Sequence, residues 1–182
     1  MMSAPPGKPC RVLFQDEGRF GRISDTRRCW APLPIRPHVP RQVVREYIYG
    51  YVAVSPLDGK CSSLILPWSD GEMMSMFLAH TAQVFPGDYC LMFLDQAGYH
   101  AGSTLRVPEN IRLLPIPPYS PELNPTEHVW EHLRENFFGN DALPSLNVVA
   151  DRLSAGLLDL SQKPDLLRSL TCFKWIETLC LT

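Results

Sequence analysis

The first thing missing from this chain is a long apolar run. None approaches the ~20 residues that a bilayer-spanning helix needs. The opening residues, Met-Met-Ser-Ala-Pro-Pro-Gly-Lys-Pro, also lack the apolar core of a secretory leader. Together these absences lead to the expectation of a cytoplasmic protein with no membrane partner. Six cysteines are present, Cys10, Cys29, Cys61, Cys90, Cys172 and Cys180, but no two form a C-x-x-C pair and the gaps match no zinc pattern. Most sit among apolar residues, which reads as buried thiols. A formal net charge of −2 gives no global reason to expect nucleic acid. No segment recurs at a fixed period, which excludes a repeat array.

What is present is 182 residues of ordinary composition, 45% hydrophobic and 20% charged, enough for one domain with a real core. Residues 1–10 read as a disordered N-terminal segment and residues 11–182 as the domain. The charge is unevenly spread. Arg19, Arg22, Arg27, Arg28, Arg36, Arg41 and Arg45 share one segment whose only acid is Asp25. Guanidinium groups fork onto phosphates. The same run also reads as a solvated loop surface.

Residues 11–17 read as a short strand ending in Asp16-Glu17, broken by Gly18 and Gly21. Alternation puts Val12, Phe14 and Asp16 on one face and Leu13, Gln15 and Glu17 on the other. Residues 27–32 read as a second strand, followed by a link stiffened by Pro34, Pro37 and Pro40. Residues 43–55, the turn Pro56-Leu57-Asp58-Gly59 and residues 61–66 form an expected antiparallel meander. Ser69-Asp70-Gly71-Glu72 has the form of a capping box before a helix over 71–85. Residues 89–94 suit a strand buried on both faces, ending on Asp95. Residues 111–116 make another strand. Ser145 caps a helix with the stripe Leu146, Val149, Leu153, Leu157 and Leu160. Lys163-Pro164-Asp165 opens a shorter one, and the tail bearing Phe173, Trp175 and Ile176 is apolar enough to dock.

The stretch over 117–133, PPYSPELNPTEHVWEHL, organises the chain. Its prolines make a rigid approach. Asn124 reads as an N-cap, Pro125 as the first helical residue and Glu127 as the third. Val129, Trp130, Leu133 and Phe137 then share one face. Glu127 either closes a capping box or is a carboxylate delivered to a fixed place.

Three acids therefore stand at element ends: Asp16, Asp95 and Glu127. Converging carboxylates repel unless hard cations lie between them, and Mg²⁺ prefers oxygen ligands. Two such ions roughly 3.5–4 Å apart activate an attacking oxygen and stabilise the leaving one, which is the chemistry of phosphodiester cleavage and transfer. A second metal reading lies in His128-Val-Trp-Glu131-His132, which fits the inverted zinc-protease pattern. Both of its histidines, however, point off the apolar stripe.

The stretches FQDEGRFGR, RRCWAP, SPLDG, LILPW, LDQAGYH and VPENIRLLPIPPYSPELNPTEHVWEHLRE, followed by a Leu-rich helix, occur in an order that resembles the catalytic domain of DDE transposases. Within them the likeness is to the bacterial insertion-sequence branch of the Tc/mariner superfamily. It covers nearly the whole chain from Val12. The resemblance implies an α/β, RNase H-like fold, with a mixed five-stranded sheet flanked by helices. It implies Asp16, Asp95 and Glu127 as catalytic residues that also hold two Mg²⁺ or Mn²⁺ ions. DNA is the implied substrate, as element ends and as target, with contacts expected from Arg19, Arg22, Arg27, Arg28, His100 and His128. Gln96 departs from the Asn or Gly that commonly follows the second acid. Members of the family carry N-terminal helix-turn-helix domains, whereas here the first catalytic strand begins about ten residues in. The expectation is a catalytic half that works as a homodimer or with a separate DNA-binding transposase subunit. The alternative is a catalytically silent fragment that binds DNA or a full-length transposase.

Overall fold

A computed structural model describes residues 7–24, 26–96 and 105–180. Five strands and five α-helices follow one another as β1 (Cys10–Ile23), β2 (Val43–Ser55), β3 (Lys60–Leu66), α1 (Gly71–Val84), β4 (Tyr89–Leu94), β5 (Ile111–Pro115), α2 (Glu127–Phe137), α3 (Leu146–Ser161), α4 (Pro164–Thr171) and α5 (Lys174–Cys180). A 3₁₀ turn, Pro121–Leu123, precedes α2. The sheet order is β3-β2-β1-β4-β5. β1, β2 and β3 pair antiparallel, as the meander pattern predicts, while β4 runs parallel to both β1 and β5. No helix among the described residues is long and apolar enough to cross a membrane.

Period-two alternation gives the sheet two apolar faces. On one, Leu13, Tyr51 and Ala53 pack with Met74, Phe77 and Leu78 of α1. On the other, Phe14, Val52 and Val54 pack with Trp130 and Leu133 of α2, Leu153 of α3, Leu167 of α4 and Ile176 of α5. The Ser145 cap is present, its side chain accepting from the Val148 N–H, and the α3 stripe is buried from Val149 to Leu160, with Leu146 partly buried. The tail docks through Ile176.

Several expectations change. β1 does not stop at Gly18 but runs on to Ile23. Its glycines are places where a side chain has no room. A Cβ at Gly18 would lie 2.6 Å from the Trp130 ring, and one at Gly21 would lie 2.3 Å from Tyr47. Gly18 pairs with Gly50, so the Trp130 indole lies flat on a two-glycine window in the sheet. Residues 27–32 form no strand; Arg28, Cys29 and Trp30 stand exposed with no neighbouring strand to pair with. The N-cap of α1 is Asp70, one residue later than a Ser69 box, because its carboxylate accepts from the Glu72 and Met73 N–H groups. β4 is buried on alternate residues, Cys90, Met92 and Leu94, rather than on both faces. Among the described thiols only Cys90 is buried; Cys10 and Cys29 are exposed, and Cys61 and Cys172 half-buried.

Candidate active site

The site grows from the part of β1 that outruns β4. Parallel pairing ends at Phe14 and Phe93, so the next residues of both strands emerge together at one sheet end. Asp16 and Asp95 are there. Beyond that point the β1 backbone has lost its β4 neighbour, and buried carbonyls need donors. The loop before α2 supplies them. Thr126 donates its hydroxyl to Phe14 O at 3.0 Å, and Asn124 Nδ2 donates to Gln15 O at 3.0 Å. Trp130 Nε1 then donates to Asp16 Oδ2 at 2.9 Å. Three successive β1 residues are thus gripped by three side chains of one motif, and Glu127 is carried in beside Asp16.

This corrects the expected helix start. Helical geometry begins at Glu127, with Thr126 at the cap position in αR conformation and making no side-chain cap bond. Asn124 is not the cap: its Oδ1 accepts from the Thr126 N–H at 3.2 Å while its amide serves β1. Glu127 is exposed in the first turn. The capping-box reading of Glu127 therefore finds no support in the geometry. Trp130 is core, as read from its stripe, but it also holds the first acid. Sequence reasoning missed these three contacts.

A cavity of about 490 Å³ opens here, lined by Asp16, Asp95, Gln96, Asn124 and Glu127, with Pro117, Pro118 and Pro121 among its walls. Burial pushes the Asp16 carboxyl up to about 8, helped by the negative charges of Glu127 and Glu17. The Trp130 hydrogen bond and the Glu17 N–H act in the opposite direction. Asp95 and Glu127 both face solvent at the cavity.

Residues 11–148 match the family described as DDE superfamily endonuclease. The chain belongs to that superfamily. Over 130 residues it is 38% identical to the uncharacterized protein y4pE/y4sA of Sinorhizobium fredii (strain NBRC 101917 / NGR234), covering 71% of this chain and 95% of that one. Among solved structures it is similar to the Mos1 mariner paired end complex with Mn, at a TM-score of 0.61 and 13% identity, covering 92% of this chain and 55% of that one. The Mos1 strand transfer complex gives a TM-score of 0.58 at 13% identity, covering 87% and 54%. The chain spans about half the length of those Mos1 chains. The sheet order and these likenesses establish the RNase H-like fold.

In this DDE domain the three acids at the cavity offer carboxylate oxygens, the donor chemistry of Mg²⁺ and Mn²⁺. A buried acid beside a second acid, with no described cation against it, fits a site built to take positive charge. Among the described residues no group of three or more His, Cys, Asp or Glu side chains forms a ready metal cage. The three acids line one cavity without closing on a point.

The residues expected at DNA lie in different settings. Arg19 is exposed, its guanidinium 4.6 Å from the centre of the Tyr47 ring. Arg22 is committed inward, donating to Leu143 O at 3.0 Å and pairing with Glu46 at 2.7 Å. Arg27 approaches Glu135 at 3.9 Å, and Arg28 is exposed. His128 stands edge-on to Phe173, ring centres 5.2 Å apart, and His132 meets Asn136 at 3.3 Å. His100 lies outside the described residues.

Proposed function

We propose that this DDE domain cuts DNA phosphodiester bonds and joins the freed 3′-hydroxyl to target DNA at the ends of an insertion sequence. In this reading Asp16, Asp95 and Glu127 hold two Mg²⁺ or Mn²⁺ ions. The observation that carries it is the common cavity: acids from a strand interior, a strand end and a helix start, far apart in sequence, line one open space. Once bound, such ions supply the positive charge that an attacking and a leaving phosphate-ester oxygen require. The chain's own residues do the positioning. Trp130 fixes the Asp16 carboxylate by its Oδ2. Asn124 and Thr126 set the distance of Glu127 from β1. Pro117, Pro118 and Pro121 give the same cavity a stiff wall. Mos1 paired end complexes are known with Mn and with Mg, which agrees with the choice of ion.

Assembly as a homodimer, or with a subunit that reads the element ends, belongs to the same proposal. A silent, DNA-holding fragment is the second reading.

A nicking assay decides between the two. Wild type and Asp95→Ala are incubated with DNA carrying the element ends in Mg²⁺, Mn²⁺ or EDTA. Metal-dependent nicks by wild type, lost by at least about a hundredfold in Asp95→Ala, are expected. Folded wild type that binds the DNA but makes no nick in either metal establishes the silent reading.

A further inference from the structure

On the α1 side of the sheet the helix covers Leu13, Tyr51 and Ala53, and its cover thins at Tyr49 and Leu64, which are only partly buried. Beyond that the antiparallel ribbon of β1 and β2 continues to Ile23 and Val43. On this stretch Gly21 lies opposite Tyr47, and Arg19 lies opposite Tyr49. The missing side chain at Gly21 lets the Tyr47 ring lie against the strand, since a Cβ there would stand 2.3 Å from Tyr47 Cδ1. Arg19 stacks on that ring at 4.6 Å. The result is a layered pile of glycine backbone, phenol and guanidinium, with the outermost layer exposed. Among the described residues no carboxylate pairs with Arg19. Trp68, two residues beyond the end of β3, is 64% exposed.

We propose that this ribbon face is a platform for unpaired bases of single-stranded DNA, with the Arg19–Tyr47 pile as its stacking centre. The proposal rests on the DNA reading above. A planar guanidinium set over an aromatic ring still has a cationic face to offer, and every base has a π-surface to meet it. Charge complementarity favours nucleic acid over a second protein: residues 19–45 hold seven arginines against one acid. Arg19 is three residues along β1 from Asp16, about 10 Å at roughly 3.3 Å per residue, and this odd spacing turns the pile to the α1 face of the sheet while the Asp16 side chain stands on the α2 face against Trp130. Over that stretch β1 has no β4 partner.

The test measures binding of a labelled single-stranded oligonucleotide and of its duplex by anisotropy, in EDTA, to Asp95→Ala, Arg19→Lys/Asp95→Ala and Tyr47→Leu/Asp95→Ala. Single strands are expected to bind more tightly than duplex. Arg19→Lys keeps the charge but not the plane, and is expected to weaken single-strand binding about tenfold with the salt slope unchanged. Tyr47→Leu keeps an apolar cover on Gly21 and is expected to lose a similar factor. Single-strand binding by Arg19→Lys equal to that of its parent overturns the proposal and leaves Arg19 as a phosphate contact. Duplex preference also overturns it, as does self-association of the parent that Tyr47→Leu abolishes, which assigns the face to a second copy. Because cleavage is absent from every arm, a failed nicking assay and a failed stacking platform give separate results.

Discussion

Asp16 has its carboxyl between the Trp130 indole and Glu127, and its folded-state pKa of about 8 lies well above the ordinary 3.8. The folded protein therefore holds this proton more tightly than the unfolded chain does. The resulting stabilisation is complete below about pH 4 and is lost as pH rises toward 8, at no more than about 1.4 kcal/mol per pH unit. Asp16→Asn removes the ionisation. In EDTA the variant is expected to be more stable than wild type at pH 8 and to lose that advantage at pH 4, read from urea midpoints. Mg²⁺ is expected to raise the wild-type melting temperature at pH 8 and to leave Asp16→Asn unmoved. The neighbouring Gln15 is 1% exposed, and neither side-chain polar atom has a hydrogen-bond partner among the described residues. Gln15→Met is expected to stabilise the fold by about 1–2 kcal/mol in the same assay, because it replaces an unsatisfied amide with an apolar chain of similar length. The three acids were legible in sequence as carboxylates at element ends. Asn124, Thr126 and Trp130 were not legible as site residues. Their partners are two backbone carbonyls and a carboxylate more than a hundred residues away, and no local pattern marks such contacts.

At the scale of elements, β1 and α2 form one unit. Thr126→Val keeps the shape but leaves Phe14 O without its side-chain donor. A loss of about 1–3 kcal/mol is expected, with nicking reduced more than DNA binding, because Glu127 loses its anchor. Gly18→Ala drives a methyl group into the Trp130 ring. It is expected to cost about 1–3 kcal/mol by denaturant unfolding and to disturb the Trp130–Asp16 bond. Element reading succeeded where the pattern was long and self-consistent: residues 43–55 and 89–94 are strands with the expected bounds, and the α3 stripe is buried from Val149 to Leu160. It failed where one residue type had two uses. Gly18 and Gly21 read as breakers, yet they are the flat places on which rings rest. The short apolar piece over 27–32 reads as a strand by composition, but no neighbouring strand accepts it.

The whole molecule sets one helix against α2 to α5 across a mixed sheet, and β1 is the strand on which both halves meet. The fold class was legible through the resemblance to DDE transposases that the ordered motifs carry, the long proline stretch above all. The cavity's outline was not, since it depends on how far β1 outruns β4. The grip of residues 124–130 on residues 14–16 also orders events in time. A chain growing on the ribosome exposes Asp16 and Asp95 long before α2 has emerged, and domains fold as their last required piece appears. Until then Phe14 O, Gln15 O and the Asp16 carboxylate lack their donors, and Glu127 has no place beside them. A nascent chain that has not yet released α2 is therefore unarmed, and the acid cavity is completed only when residues 124–130 emerge.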